Sequence, residues 1–258
     1  MPLEGGISMK KSFLGFEKPI ITAMVQGNEP DRIKYLMDKA LVDGADAFGM
    51  QLCVMKKEFR NSDVYRDLFS YAKDKPCYVT NYRHSSNEGK TDDVLAEEML
   101  EIASCGATLC DVMADYFDRQ DDELAKNEDA IKRQMEFIDK LHDKGAEVLM
   151  SSHVLKFTPA ERVMEIALEH KRRGADISKI VTHANTMEEQ IENLRIINML
   201  KENLGIPFLY LCGGECSILR RIGAQIGSCM SLAVHEYDNF ATPTQPPIKA
   251  IKLISENM

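Results

Sequence analysis

His153 closes the run Glu147-Val-Leu-Met-Ser-Ser-His, and Lys179 lies 26 residues further on, inside Gly174-Ala-Asp-Ile-Ser-Lys-Ile-Val. In a strand, Ile177, Lys179 and Val181 share one face at period two, so the ammonium shares a side with aliphatic neighbours. Desolvation penalises the charged form of a buried lysine and favours a neutral amine, which can attack a carbonyl carbon. That is the property a Schiff-base enzyme needs. A histidine ending the neighbouring strand can move the protons such chemistry requires. Taken singly, each residue has a plainer and more common reading: Lys179 on an outward face or paired with an acid, His153 a satisfied structural side chain. Their placement one strand apart in a strand–helix–strand unit favours the chemical reading.

The elements that must position this pair repeat along the chain. Short apolar runs predict strands at Pro19–Val25, Gly44–Cys53, Cys77–Asn81, Thr108–Met113, Glu147–Ser152, Asp176–Thr182, Gly205–Leu211 and Ser228–Val234. Between and after them, helices are predicted over Pro30–Val42, Asn61–Tyr71, Thr91–Ser104, Glu123–Lys144, Thr158–Arg173, Thr186–Asn203, Ser217–Ile226 and Pro247–Glu256. Gly145 falls where a helix is commonly capped. Eight strand–helix units in one domain over residues 19–258 predict an α/β fold of the (β/α)₈ TIM-barrel type, preceded by a polar lead-in over 1–18 in which Met9 is a second candidate start. A doubly wound sheet is the rival. The glycine-rich phosphate loops that would support nucleotide binding are absent, since Cys212-Gly-Gly-Glu-Cys fits neither fingerprint. In a barrel the reactive groups belong at the carboxyl ends of strands, a rule that His153 meets and Lys179, inside the next strand, nearly meets.

Composition narrows the partners. With 258 residues and 44% hydrophobic content the chain can bury a large core, and a formal net charge of −9 argues against nucleic acid or an anionic membrane. No apolar run reaches a membrane span, and Met1–Lys11 lacks the apolar centre of a signal peptide, so a cytoplasmic location is expected. The seven cysteines form no Cys-x-x-Cys pair and read as reduced, buried hydrophobes. His84, His142, His170, His183 and His235 lack metal-ligand spacing; His142 and His170 read as helix surface, while His183 and His235 could border a pocket. Neither a metal nor an organic cofactor is implied, because the lysine itself supplies the electrophile. The acidic run Asp115–Glu123 reads as a solvated helix start.

Ser151-Ser-His-Val-Leu-Lys-Phe-Thr-Pro, Gly174-Ala-Asp-Ile-Ser-Lys-Ile, Ile218-Leu-Arg-Arg-Ile-Gly-Ala-Gln-Ile-Gly-Ser and the late Gln245 resemble type I 3-dehydroquinate dehydratase, over most of the chain from Pro19 onward. The resemblance implies a lyase of the shikimate pathway, on the route to the aromatic amino acids. In it Lys179 forms an imine with the C3 ketone of 3-dehydroquinate, a cyclic hydroxyketone carboxylate, and His153 takes the C2 proton and returns it to the departing C1 hydroxyl. It also implies that Glu88, in Arg83-His-Ser-Ser-Asn-Glu-Gly, orients His153, although one extra residue separates it from Arg83. Arg83 matches a substrate-contacting arginine, and Arg220 the arginine that holds the carboxylate, with Arg221 as its alternative. Gln245 resembles a mobile-loop glutamine, with Thr242 standing for the loop serine. On residue type alone, each of these polar side chains is more often a solvated surface group. The family is often dimeric, which makes a homodimer an expectation.

The chain departs from the family on strand two, where Gly49-Met50-Gln51 replaces a glutamate, one residue and an arginine that help bind the ring hydroxyls, leaving Gln51 as the polar candidate there. On strand four Met113 replaces an acid. Lost partners for buried hydroxyls weaken specificity. Two alternatives therefore stand beside the dehydratase: a diverged Schiff-base lyase or class I aldolase acting on another hydroxyketone, and a barrel that has lost turnover.

Overall fold

The computed structural model describes residues 11–258. Most of the expected lead-in, with Met9, lies outside the described residues. The strands are β1 (Ile20–Met24), β2 (Ala47–Gln51), β3 (Cys77–Thr80), β4 (Leu109–Met113), β5 (Glu147–His153), β6 (Ile177–His183), β7 (Phe208–Gly213) and β8 (Met230–Ala233). They alternate with helices α1 (Pro30–Asp43), α2 (Ser62–Tyr71), α3 (Asp92–Ser104), α4 (Glu128–Asp143), α5 (Ala160–Arg172), α6 (Met187–Asn203), α7 (Leu219–Ile226) and α8 (Ile248–Asn257). All strands are parallel, in the order β7-β6-β5-β4-β3-β2-β1-β8. The two end strands meet where the Cys229 N–H donates to the Phe208 carbonyl at 2.8 Å and the Tyr210 N–H to Ser228 Oγ at 3.0 Å. This nearly closed ring is the predicted (β/α)₈ barrel.

Strands covered on both faces bury every position, which is why they read as continuous apolar runs. One set of side chains packs outward under the helices, among them Phe48, Val79, Val112, Val148 and Ile180. The alternate set, including Ile20, Ala47, Leu109, Leu149, Ile177 and Leu209, fills the barrel interior. Phe13 joins that interior cluster, and its N–H donates to Glu147 Oε2 at 2.7 Å, so the segment before β1 plugs the amino end of the barrel.

Helix starts follow side-chain caps. Asn61, Thr91, Asn127 and Thr186 each accept a backbone N–H from the first turn, and Thr186 with Glu189 forms a capping box. Because Asn127 caps α4, the expected helix start at Glu123 is too early, and Asp115–Glu123 is a loop over the barrel mouth rather than a solvated helix turn. Arg173 holds that loop from below: its guanidinium, on a side chain 2% exposed, donates to the Ala114 carbonyl at 3.0 Å and the Ala125 carbonyl at 2.8 Å. Gly145, at φ +81°, takes the left-handed turn after α4 that a Cβ would disfavour.

His170 corrects another expectation, since it is fully buried rather than on a helix surface. Its Nε2 lies 3.0 Å from Ser152 Oγ and its Nδ1 2.9 Å from Ser178 Oγ. Ser152 donates its single proton to the Glu123 carbonyl at 2.8 Å, so it accepts from His170 Nε2–H. Burial, reinforced by the Arg173 charge, drives the His170 pKa down to about 3. Below its ordinary value near 6.5 the unfolded chain gains a proton that the folded chain does not, so stability falls as the pH is lowered. The expected loss is about 1.4 kcal/mol per pH unit between roughly pH 6.5 and 3. Urea unfolding at pH 7 and pH 5 measures it, and His170→Asn should flatten that dependence.

Candidate active site

Strand alternation delivers the site. Inward positions supply Tyr78 from β3, Asp111 from β4, Ser151 and His153 from β5, and Lys179 and Val181 from β6, with His153 at the carboxyl end of its strand and Lys179 two residues deeper in the barrel. Registers Asp111↔Leu149, Met113↔Ser151 and Ser151↔Lys179 set them at successive levels of one wall. They open on a cavity of about 180 Å³ lined by Lys179, His153, Tyr78, Tyr82, Arg220 and Gln245, among others. A second cavity of about 520 Å³, lined by Arg83, Arg119 and Glu123, shares Gln51, Tyr82, His153 and Leu155 with the first.

Lys179 is 4% exposed, as its aliphatic neighbours imply. The pairing with an acid that the sequence left open is present: Nζ lies 2.6 Å from Tyr82 Oη, 3.0 Å from Tyr78 Oη and 3.1 Å from Asp111 Oδ2. Burial opposes the Asp111 charge, but Lys179, together with donation from Ser151, Tyr78 and Tyr82, holds that carboxyl below the usual range. The resting site is thus an ion pair buried among phenols.

His153 Nδ1 lies 2.8 Å from Glu123 Oε2, and the same oxygen accepts the His153 backbone N–H at 2.8 Å. Burial acts against the Glu123 charge, yet His153 lowers its pKa. Nε2 is left for the cavity. Glu123 has φ +45°, a left-handed backbone that L residues adopt at a cost, retained where surroundings fix it. Here the Ser152–His170 chain to its carbonyl and the two bonds from His153 do so.

Glu88, expected in the role of Glu123, is exposed just beyond the short 3₁₀ turn Ser85–Asn87 and lines neither cavity. That turn follows Arg83 closely, with Ser85 at φ +57°. Arg83, expected to contact substrate, does not line the smaller cavity. Tyr78, Thr80 and Tyr82 line the smaller cavity at period two, so Arg83 faces away from it. Its guanidinium grips Asp92 and Asp115, each at 2.7 Å, on the wall of the larger cavity.

Arg220 lines the smaller cavity, while Arg221 is exposed. Nε of Arg220 donates to the Cys212 carbonyl at 2.9 Å. No carboxylate pairs with it among the described residues, and burial lowers its pKa. Gln245, 5% exposed, has a buried Oε1 without a partner. Thr242 accompanies it on the loop after β8 and is tied to the barrel by Gln26, whose Oε1 accepts the Thr242 N–H at 3.2 Å. Gln26 also donates to Gln51, whose Nε2 lies 3.1 Å from His84 Nε2. A Cβ on Gly49 would meet Met24 Sδ at 2.3 Å and Tyr78 Cδ1 at 3.2 Å. The space for a larger strand-two side chain is filled by those two residues. Neither His183 nor His235 lines these cavities; His235 pairs with Asp43 instead.

Glu123, Tyr78, Tyr82, Asp111 and Gln26 were not singled out from sequence. For Asp111 the signal was there: an acid inside the apolar run Leu109–Met113 requires a buried cation. The described residues contain no group of three or more His, Cys, Asp or Glu arranged to hold a metal ion.

A (β/α)₈ barrel with a carboxylate-held histidine ending one strand and a buried lysine inside the next defines a class of barrel lyases suited to imine chemistry. Within it the chain belongs to the type I 3-dehydroquinase family, whose model matches residues 21–256. It is 24% identical over 260 residues to a 3-dehydroquinate dehydratase of Geobacillus thermodenitrificans, covering 96% of this chain and 94% of that one. A 3-dehydroquinate dehydratase of Alkaliphilus oremlandii is 30% identical over 137 residues, 52% of each chain. The crystal structure of 3-dehydroquinate dehydratase from Geobacillus kaustophilus shares the fold, with TM-score 0.79 at 18% identity over 96% of this chain and 95% of that one. The type I enzyme of Clostridium difficile does so with TM-score 0.75 at 19% identity, over 95% and 96%. Membership makes the chain a hydro-lyase of the shikimate pathway.

Proposed function

We propose that this chain dehydrates 3-dehydroquinate to 3-dehydroshikimate, with Lys179 as the imine-forming residue and His153 as the acid and base. The observation that carries the reading is one cavity holding Lys179, His153 and an arginine, Arg220, that has no acid partner among the described residues. A protonated imine at C3 is a stronger electron sink than the ketone, so the C2 proton becomes acidic and passes to His153 Nε2. The imidazolium then protonates the leaving C1 hydroxyl. Glu123 fixes the tautomer and stabilises that imidazolium. Arg220 takes the substrate carboxylate, and the Gln245 amide with Thr242 closes over the ring. With a net charge of −9 and no described helix long and apolar enough to cross a membrane, a small-molecule partner and a cytoplasmic site complete the reading.

One observation favours a second reading. Met24 and Tyr78 fill the space beside Gly49, and Arg83 is engaged by Asp92 and Asp115, so the expected contacts to the ring hydroxyls are missing. A different cyclic hydroxyketone carboxylate would suit that wall. The test is the appearance of enone absorbance when protein meets 3-dehydroquinate. Arg220→Ala is expected to raise KM about 10- to 100-fold, the loss of roughly 1.5–3 kcal/mol of charge-assisted hydrogen bonding. No turnover, with borohydride still trapping other ketones on Lys179, selects the second reading.

A further inference from the structure

Lys179 presents a chemical problem that the histidine does not solve. An ammonium has three N–H donors, and here each has an acceptor: Tyr78, Tyr82 and Asp111. No lone pair is available to attack a carbonyl until one proton leaves. Among the described residues no hydrogen bond joins His153 to Nζ, whereas Tyr82 bonds it directly.

Tyr82 is built differently from Tyr78. It lies two residues beyond the end of β3, lines both cavities, and sets its ring edge-on to His153, with centroids 5.4 Å apart at 87°. Its Oη is 2.6 Å from Lys179 Nζ and 2.6 Å from Asp111 Oδ2, accepting from the first and donating to the second. Tyr78 touches the same two groups but is fully buried beneath them and lines only the smaller cavity.

We propose that Tyr82 is a catalytic residue, the relay that shuttles protons between Lys179 and Asp111 during imine formation. The proposal rests on Lys179 being the imine-forming residue. In the first step an Nζ proton passes to Tyr82 Oη as the Tyr82 proton passes to Asp111 Oδ2, leaving a neutral amine, a neutral phenol and a protonated acid. The amine lone pair then forms the N–C bond while the carbonyl π pair moves to oxygen, which takes a proton from the same nitrogen. In the last step Asp111 returns its proton through Tyr82 to the carbinolamine hydroxyl. The C–O bond breaks, water leaves, and the nitrogen pair completes the C=N bond. Three nitrogen protons become one on the iminium and two on water, and the Asp111 carboxylate is restored beside the new cation. Burial beside that carboxylate keeps the Tyr82 phenol protonated well above its usual range, so it passes protons by exchange and not as a free phenolate.

The experiment is quenched-flow borohydride trapping of the wild-type protein, Tyr82→Phe and Tyr78→Phe with 3-dehydroquinate, the adduct being read by mass spectrometry. Tyr82→Phe keeps the ring against His153 and should slow trapping about 10²-fold or more, with Tyr78→Phe slowed far less. The wild-type trapping rate should also fall in D₂O, an effect the Tyr82→Phe protein loses. A Tyr82→Phe protein that traps at the wild-type rate overturns the relay and leaves the imine reading standing. Absence of a solvent isotope effect in the wild type also overturns the relay and does not depend on the variant folding. No wild-type adduct at all overturns the imine reading itself, and the relay with it.

Discussion

Lys179→Ala is expected to abolish the borohydride-trapped adduct and to lower kcat on the order of 10⁵-fold, because the covalent route and the electron sink vanish together. It should also destabilise the fold. Asp111 is 2% exposed, and loss of its cation leaves a buried carboxylate with only neutral donors from Ser151, Tyr78 and Tyr82. Breaking a buried pair on one side costs about 3–5 kcal/mol. Adding Asp111→Asn to Lys179→Ala should therefore recover part of the unfolding midpoint without recovering turnover. That separation matters, since an inactive variant that has merely unfolded says nothing about chemistry. Retained trapping in a folded Lys179→Ala protein would move the electrophile elsewhere.

The second large effect concerns which carboxylate serves His153. Glu123→Gln is expected to lower kcat about 10²-fold or more with little change in KM, because an amide neither enforces the Nδ1–H tautomer nor stabilises the imidazolium. Glu88→Ala should stay within about twofold of wild type, as exposed substitutions away from special features do. Steady-state kinetics of the two variants side by side decide the matter. A large loss at Glu88 with none at Glu123 would mean that the Ser85–Asn87 turn rearranges on substrate binding and brings its own acid to the histidine.

These expectations show how unevenly the site could be read in advance. The positions of Lys179 and His153 were legible because each sits within its own strand, where period two decides the face. The sequence offered Arg220 with Arg221 as its alternative, and the structure lines the smaller cavity with Arg220 while Arg221 is exposed. Glu88 and Arg83 were not. Both lie after β3, where a tight turn follows closely and a single-position shift exchanges inward for outward faces. Tyr82 then takes the inward place, and Arg83 turns to Asp92 and Asp115.

Glu123 was hidden for another reason. It lies in an acidic stretch that looks like the start of α4, and only the Asn127 cap and the support from Ser152 and Arg173 show that the chain is a fixed loop there. Its left-handed backbone has no local sequence signal, because a glutamate seldom takes it.

The sequence by itself determined the eight-unit alternation, the shared face of Ile177, Lys179 and Val181, and the placement of His153 at the end of one strand with Lys179 inside the next, since periodicity over a few residues is enough for each. Only the tertiary structure decided their partners. Glu123 is 30 residues from His153, Asp111 is 68 from Lys179 and Tyr78 is 101 from it. Contacts across such separations depend on strand order, register and the turn of each loop, and a side chain's chemistry is set by whichever group those long-range choices bring within hydrogen-bonding distance.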